Sequence, residues 1–340
     1  MKKIKVLIVD DSILIQSILS KILNADNDII VVGMAENPII ARELIKILKP
    51  DVIILDIEMP IMDGLTFLSK LMRLNPMPVI MCSAFTPHCK EVTLEAFNLG
   101  VVDIINKPIS ESPEVIAKKV KNAATAKINA VRTISDMNTP LMVNDNYENL
   151  NNSIIAIGSS TGGTEALSAI FQVLPHNIPP VVVTQHLPDG FTKLFVERIN
   201  KTSKLNIKVA EHGESLRSSH VYVAPAKHHI LIERKENKFI VNLDQTIDGI
   251  HRPSVDVMFI SIAKECAKNA TGVLLTGMGA DGAKGLLELK NRGAQTIVQD
   301  EATSVVWGMP GTAYELGAAS EVLPLQSIPQ ALIDRLNRSI

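Results

Sequence analysis

Two series of short, continuously apolar runs constrain this sequence more than any other feature. In residues 1 to 125 the runs are KVLIVD, IIVVGM, DVIILD, MPVIMC and VVDII, with helical patterns between them. A strand that is apolar at every position has no face for water. With helices between such strands, a parallel sheet covered on both sides is predicted. Asn37 and Pro38 read as the cap and first position of one helix, with Ile40, Leu44 and Ile47 as its inner face. From 126 to 152 the alternation stops. The stretch SDMNTPLMVNDNYENLNNS is rich in Asn, Asp and Ser and reads as a linker in which Leu141, Met142 and Val143 form one apolar spot.

From 153 the alternation resumes with SIIAIG, PVVVTQ, HVYVAP, HILIE, FIVNL, TGVLLT and QTIVQD. Pro253 is expected to start a helix with Val255, Met258, Phe259 and Ile262 on its inner face. Short strands between 205 and 245 predict an antiparallel portion in the second sheet. The fold class is thus α/β in both halves. A flavodoxin-like domain with a five-stranded parallel sheet occupies 1–125. A linker follows at 126–152, then a doubly wound α/β domain with a mostly parallel sheet at 153–340.

Composition narrows the function classes. The chain has 340 residues, enough for about two domains. With 34 Lys and Arg against 36 Asp and Glu, bulk charge gives no support to a nucleic-acid partner. Cys82, Cys89 and Cys266 are scattered, which argues against a disulfide framework or a zinc site. In MKKIKVLIVDDS, acids interrupt the apolar stretch too early for a signal peptide. No run reaches the roughly 20 apolar residues of a membrane span. A cytoplasmic protein without membrane insertion is expected.

Asp10 and Asp11 end the first strand, and Asp56 ends the third. In a parallel sheet these positions meet at the carboxyl edge, where ligands bind. Three carboxylates there call for a cation, and an all-oxygen set suits Mg²⁺. Ser83 and Lys107, after the fourth and fifth strands, offer a hydroxyl and an ammonium to an anion. The set predicts phosphoryl transfer to Asp56. Over about 120 residues, VDDS, DIEMPIMDG, CSA and NKP resemble a response-regulator receiver domain. The resemblance implies that a histidine kinase is the phosphodonor and that Asp10 and Asp11 help Asp56 bind Mg²⁺. Ile104 stands where receivers often carry an aromatic switch residue.

The second half is marked by IAIGSSTGG, residues 155 to 163. Three readings fit this bend. Ser160 or Thr161 caps the next helix, the commoner use of such residues. Glycine amides cradle a phosphate, although the GK[ST] ending of a P-loop is missing. Or Gly158 to Gly162 form a G-x-S-x-G elbow with Ser160 at its tip. A nucleophilic serine needs a base and a group to orient it. His186 ends the next strand run and Asp281 lies in VLLTGMGADGAKG. The latter stretch also matches a dinucleotide fingerprint at Gly277, Gly279 and Gly282, with Asp300 placed as the ribose acid. Asp281 in the turn would repel a pyrophosphate. It fits either beside His186 or as the cap of the helix holding Leu286, Leu287 and Leu289.

The order Ser160, His186, Asp281 is not that of the α/β-hydrolases. IGSSTGGTEAL, TQHLPDGFT, RPSVDVMF, LLTGMGADGA and VVWGMPG closely resemble the catalytic domain of the chemotaxis methylesterases, the CheB family. The resemblance implies a serine nucleophile at Ser160, a base at His186 and an orienting acid at Asp281. It implies hydrolysis of γ-glutamyl methyl esters on methylated chemoreceptors, and deamidation of receptor glutamines. Amides near Thr161 and Met278 are the expected oxyanion donors. No cofactor is expected for the ester reaction, and a monomer is expected. Trp307 and Met309 belong either to the rim or to the core. Ala226 and Lys227 in APAKHH depart from the family's frequent glycine and acid. Two other readings are a transcriptional regulator, which lacks its basic helix-turn-helix here, and an oxidoreductase using the Gly277 turn.

Overall fold

The computed structural model describes residues 3–84, 92–93, 95–97, 99–109, 111–126, 128, 141, 150–236, 238–248 and 251–338. Most of the expected linker, with Met142 and Val143, and Cys89 lie outside the described residues. The chain divides into two compact units, residues 1–131 and 132–340.

The first unit runs β1 (Ile4–Val9), α1 (Ile13–Asn24), β2 (Ile29–Ala35), α2 (Pro38–Leu48), β3 (Val52–Asp56), α3 (Gly64–Leu74), β4 (Val79–Ala84), β5 (Asp103–Lys107) and α4 (Pro113–Ala123). The sheet order is β2-β1-β3-β4-β5, with every pair parallel. That is the flavodoxin-like order expected. Val6 to Val9 and Ile53 to Leu55 are almost wholly buried, because helices cover both faces. Asn37 caps α2 by accepting the N–H groups of Ile39 and Ile40, with Pro38 in the first turn. The inner face of α2 is not the one expected. Pro38, Ala41 and Ile45 are buried and Leu44 is half-buried, whereas Ile40 and Ile47 are 42% and 74% exposed. The helix carries apolar residues on more than one stripe, so periodicity does not choose between them. Ala41, the small residue, lets its side approach the sheet.

The second unit runs β6 (Ile154–Ser159), α5 (Gly163–Val173), β7 (Val181–Gln185), α6 (Thr192–Asn200), β8 (Asn206–Val209), β9 (His220–Val223), β10 (His229–Lys235) and β11 (Lys238–Asp244). Then come α7 (Val255–Cys266), β12 (Ala270–Leu274), α8 (Ala283–Asn291), β13 (Gln295–Gln299), α9 (Met309–Glu315), β14 (Glu321–Leu323) and α10 (Ile328–Arg338). Seven strands form one sheet in the order β14-β13-β12-β6-β7-β9-β8, all pairs parallel. The expected antiparallel portion is therefore not in this sheet. It is a separate hairpin of β10 and β11. Adjacent runs joined by a tight turn pair with each other more readily than with a distant sheet. The hairpin's Ile230, Ile232, Phe239 and Val241 share a core with Val255, Met258, Phe259 and Ile262 of α7. That face of α7 is as expected, but the helix begins at Val255 and Ser254, not Pro253, caps it.

β6 lies at the centre, with β7 on one side and β12 on the other. The chain reverses its winding here. The crevice at the carboxyl ends of these strands is where α/β sheets place ligands.

Candidate active site

Parallel register sets Ser159 opposite Gln185, so Ser160 and His186 are the next residues on neighbouring strands. Such strands lie about 4.8 Å apart. His186 N–H donates to the Ser159 carbonyl at 3.0 Å. The Gln185 amide donates to the carbonyls of both Ser160 and His186, each at 2.9 Å, and Ser159 Oγ donates to Gln185 Oε1 at 2.6 Å. Ser160 N–H donates to the Thr276 carbonyl at 3.1 Å, and Gly163 N–H donates to the Ser160 carbonyl at 2.8 Å. The backbone of Ser160 is thus fixed from three sides. Its Oγ makes no hydrogen bond among the described residues.

The capping reading of this bend fails. The residue before α5 is Gly162, left-handed at φ 75°, and no side chain caps the helix. A side chain at Gly162 would also strike Val305. Glycine alone meets both demands. Gly277 is required by close approach, since a side chain there would strike Met309 Sδ and Ser160 Cβ. The N–H groups of Thr161 and Met278 make no hydrogen bond among the described residues, while the Thr161 carbonyl accepts from Thr276 Oγ1 at 2.9 Å.

His186 Nε2 and Asp281 Oδ2 are 2.8 Å apart, both side chains largely buried. A carboxylate only accepts, so Nε2 donates, and in the neutral ring Nδ1 is the free nitrogen. The His251 ring stacks on His186 with centroids 4.5 Å apart. Asp281 caps a helix, but not the one that follows it, whose cap is Gly282. Its carboxylate lies on the N-terminus of α7, accepting from Val255 N at 2.8 Å, Asp256 N at 3.0 Å and Ser254 Oγ at 2.8 Å. Burial opposes its charge. The His186 hydrogen bond and charge, then the two backbone N–H groups, outweigh burial and hold its carboxyl well below the usual range. Met309 is wholly buried, and Trp307 is partly buried with Nε1 donating to the Gln299 carbonyl.

The dinucleotide reading of Gly277, Gly279 and Gly282 is corrected by what surrounds the turn. Gly308 N and Met309 N donate to the Gly277 carbonyl at 3.1 and 2.8 Å, and Gly308 packs on Gly279. The Asp300 carboxylate is taken by Thr303 N and Oγ1, at 2.9 and 2.6 Å. The turn is tied to the 308–309 segment, and the expected ribose acid is committed to a turn of its own.

In the first unit, Asp10, Asp11 and Asp56 bring carboxylate oxygens within 4.8 Å of one another. Lys107 Nζ reaches Asp10 Oδ2 at 2.7 Å and Asp56 Oδ2 at 2.9 Å. Ser83 sits one residue beyond the register partner of Asp56, on the adjacent strand. Burial, helped by the Asp10 charge, pushes the Asp56 carboxyl up against the pull of Lys107. One ammonium faces three carboxylates, so the donor set fits a hard divalent cation. Ile104 is a buried aliphatic residue.

Gln185 and Ser254 are among the residues of this geometry that carry no role in the sequence reading. The signal was their place beside His186 and Val255, within the stretches TQHLPDGFT and RPSVDVMF.

Comparison with known proteins follows the same division. The CheB methylesterase family model matches residues 155–332, and the response regulator receiver domain model matches residues 6–121. A Nitrosomonas europaea protein described as a protein-glutamate methylesterase/protein-glutamine glutaminase is 45% identical over 349 residues, covering 99% of this chain and 97% of the relative. A Salmonella typhimurium protein of the same description is 45% identical, covering 99% of this chain and 98% of the relative. The crystal structure of the Thermotoga maritima CheB methylesterase catalytic domain superposes with a TM-score of 0.53 at 41% identity, covering 54% of this chain and 98% of that one. With matches of this extent in both halves, the chain belongs to the CheB methylesterase family and carries a response-regulator receiver domain ahead of its catalytic domain.

Proposed function

We propose that this chain is a phosphorylation-activated protein-glutamate methylesterase of chemotaxis adaptation. It hydrolyses γ-glutamyl methyl esters on chemoreceptors to glutamate and methanol, and it deamidates receptor glutamines by the same acyl chemistry. The observation that carries this reading is the His186–Asp281 pair, with His186 just past β7 beside the Ser160 bend.

In this reading Ser160 Oγ attacks the ester carbonyl carbon and His186 accepts its proton. Because Nε2 faces Asp281, the accepting nitrogen is Nδ1, the reverse of the usual serine triad. Asp281 stays ionised and stabilises the imidazolium. The tetrahedral oxyanion is met by the N–H groups of Thr161 and Met278. The imidazolium returns its proton to the leaving methoxide, or to the leaving amine for glutamine. Water then repeats the sequence on the acyl-serine, and Ser160 is restored. None of these steps calls for a cofactor.

The receiver occupies 1–125, joined through 126–152 to the catalytic domain at 153–340. Asp56 accepts a phosphoryl group from the chemotaxis histidine kinase. Asp10, Asp11 and Asp56 would hold Mg²⁺, which when bound would supply charge neutralisation for phosphoryl transfer. Lys107 and Ser83 hold the phosphoryl oxygens. Among the described residues no helix is long and apolar enough to cross a membrane. The protein acts in the cytoplasm, as a monomer, on the cytoplasmic helices of its receptors.

The test is methanol release from methyl-labelled receptor membranes, with and without a small phosphodonor and Mg²⁺. Release stimulated by the phosphodonor is expected. No release in either condition would reject the assignment.

A further inference from the structure

Asp281 is held by more than the histidine it faces. Its Oδ2 takes His186 Nε2 and Val255 N, both at 2.8 Å, while Oδ1 takes Asp256 N at 3.0 Å and Ser254 Oγ at 2.8 Å. Two backbone donors at a helix N-terminus hold a carboxylate's charge well. They do not choose which oxygen turns toward the imidazole, because each oxygen already has one. The Ser254 hydroxyl breaks that symmetry by fixing Oδ1.

Ser254 is itself directed. Its Oγ accepts the Val257 N–H at 3.4 Å, so its own hydrogen is free to point at Asp281. Its backbone N–H donates to His229 Nδ1 at 3.1 Å. A backbone N–H can only donate, so Nδ1 is unprotonated and the ring proton sits on Nε2. That nitrogen faces the Ile247 carbonyl at 3.2 Å. His229 is wholly buried, and burial moves its imidazole below the usual histidine range, so the ring is neutral near pH 7. Every donor in the series from His229 through Ser254 to Asp281 therefore has one direction.

We propose that Ser254, fixed by the neutral His229 ring, is a positioning residue that turns Asp281 toward His186. The proposal rests on the reading of Asp281 as the acid that orients the base. It separates Ser254 from the common role of a helix cap, whose loss lowers stability and leaves chemistry alone.

The test uses the full chain with Ser254→Ala and Ser254→Thr. Methyl-labelled receptor is the substrate, and rates are normalised to sites titrated by a serine-directed phosphonate. Ser254→Ala is expected to lower kcat about ten- to a hundredfold with KM unchanged, the scale of a slightly misaimed catalytic group. The downfield proton resonance of the His186–Asp281 hydrogen bond is expected to shift or broaden. Ser254→Thr, which keeps the hydroxyl, is expected to restore both. A Ser254→Ala enzyme with unchanged kcat and resonance, and only a lower melting temperature, would reduce Ser254 to a cap and overturn the proposal. Ser160→Ala, which has no serine for the phosphonate to titrate and is therefore normalised to protein concentration, separates the two levels. If it hydrolyses at the parental rate, the triad itself fails. If it is inactive while Ser254→Ala is normal, only the positioning role fails.

Discussion

Glu165 lies in the first turn of α5, five residues after Ser160, and its ionisation works against the fold. Oε2 accepts the Thr164 hydroxyl at 2.8 Å, while Oε1 is buried without a hydrogen-bond partner among the described residues. Burial pushes its carboxyl from 4.5 up to about 7 against the weaker pull of the Thr164 hydroxyl and the Arg198 charge. Below pH 4.5 the group is protonated in both folded and unfolded chains, and nothing is lost. As pH rises from 4.5 to about 7, the unfolded chain ionises first and stability falls; above that range the loss is complete. A gap of roughly 2.5 pH units at about 1.4 kcal/mol each gives about 3.5 kcal/mol. Partial exposure of the side chain trims this to roughly 1–3 kcal/mol. Glu165→Gln keeps an acceptor for Thr164 and removes the ionisation. Trp307 is the sole tryptophan and lies in the second unit, so its fluorescence during urea unfolding reports that unit alone. The variant should exceed the parent in stability at pH 8 and lose that advantage as pH falls toward 4.5. A difference that stays constant from pH 5 to 8 would refute the argument.

Asp281→Asn should reduce turnover on the order of 10⁴-fold, because an amide presents hydrogens to the α7 N–H groups and cannot stabilise an imidazolium. Combining it with His186→Ala should cost little more than the worse single change, and rates that multiply would show that the two act separately. Asp56→Asn should abolish stimulation of methanol release by acetyl phosphate, as should chelation of Mg²⁺, and stimulation that survives either would move the phosphoacceptor or the metal elsewhere. Gly277→Ala should destabilise the catalytic unit by about 1–3 kcal/mol and depress turnover, since the new methyl meets Ser160 Cβ and Met309. Urea unfolding and methanol release measured on one preparation check both effects.

The first sheet and the inner strands of the second were legible because their runs are continuously apolar, a pattern that few other arrangements bury, whereas the short, partly exposed edge strands β8 and β14 stand outside those runs. The contact of His186 with Asp281, beside the bend at Ser160, was legible because each of the three residues follows a strand in a glycine-rich or proline-marked turn. The inner face of α2 was not, because Ile40 and Ile47 are as apolar as Ile45 and only packing against the sheet selects among them. The separate hairpin was missed because alternation in HILIE and FIVNL gives strand length but not pairing partner. The destination of Asp281 was hidden for a similar reason. Local spacing points its carboxylate at α8, whereas the fold carries it to the start of α7, about 26 residues earlier in the chain. Ser254 and His229 share that difficulty, since their bonds span 27 and 25 residues and no local pattern announces them.

The central claim is that the bend after β6 presents a nucleophile and not a cap. The most direct measurement is methanol release from methyl-labelled receptor membranes by Ser160→Ala, with its fold checked by Trp307 fluorescence and its receiver loaded by acetyl phosphate. Release at least about 10⁴-fold below the parent, from a protein that unfolds like the parent, is the predicted result. Release at the parental rate would contradict the account.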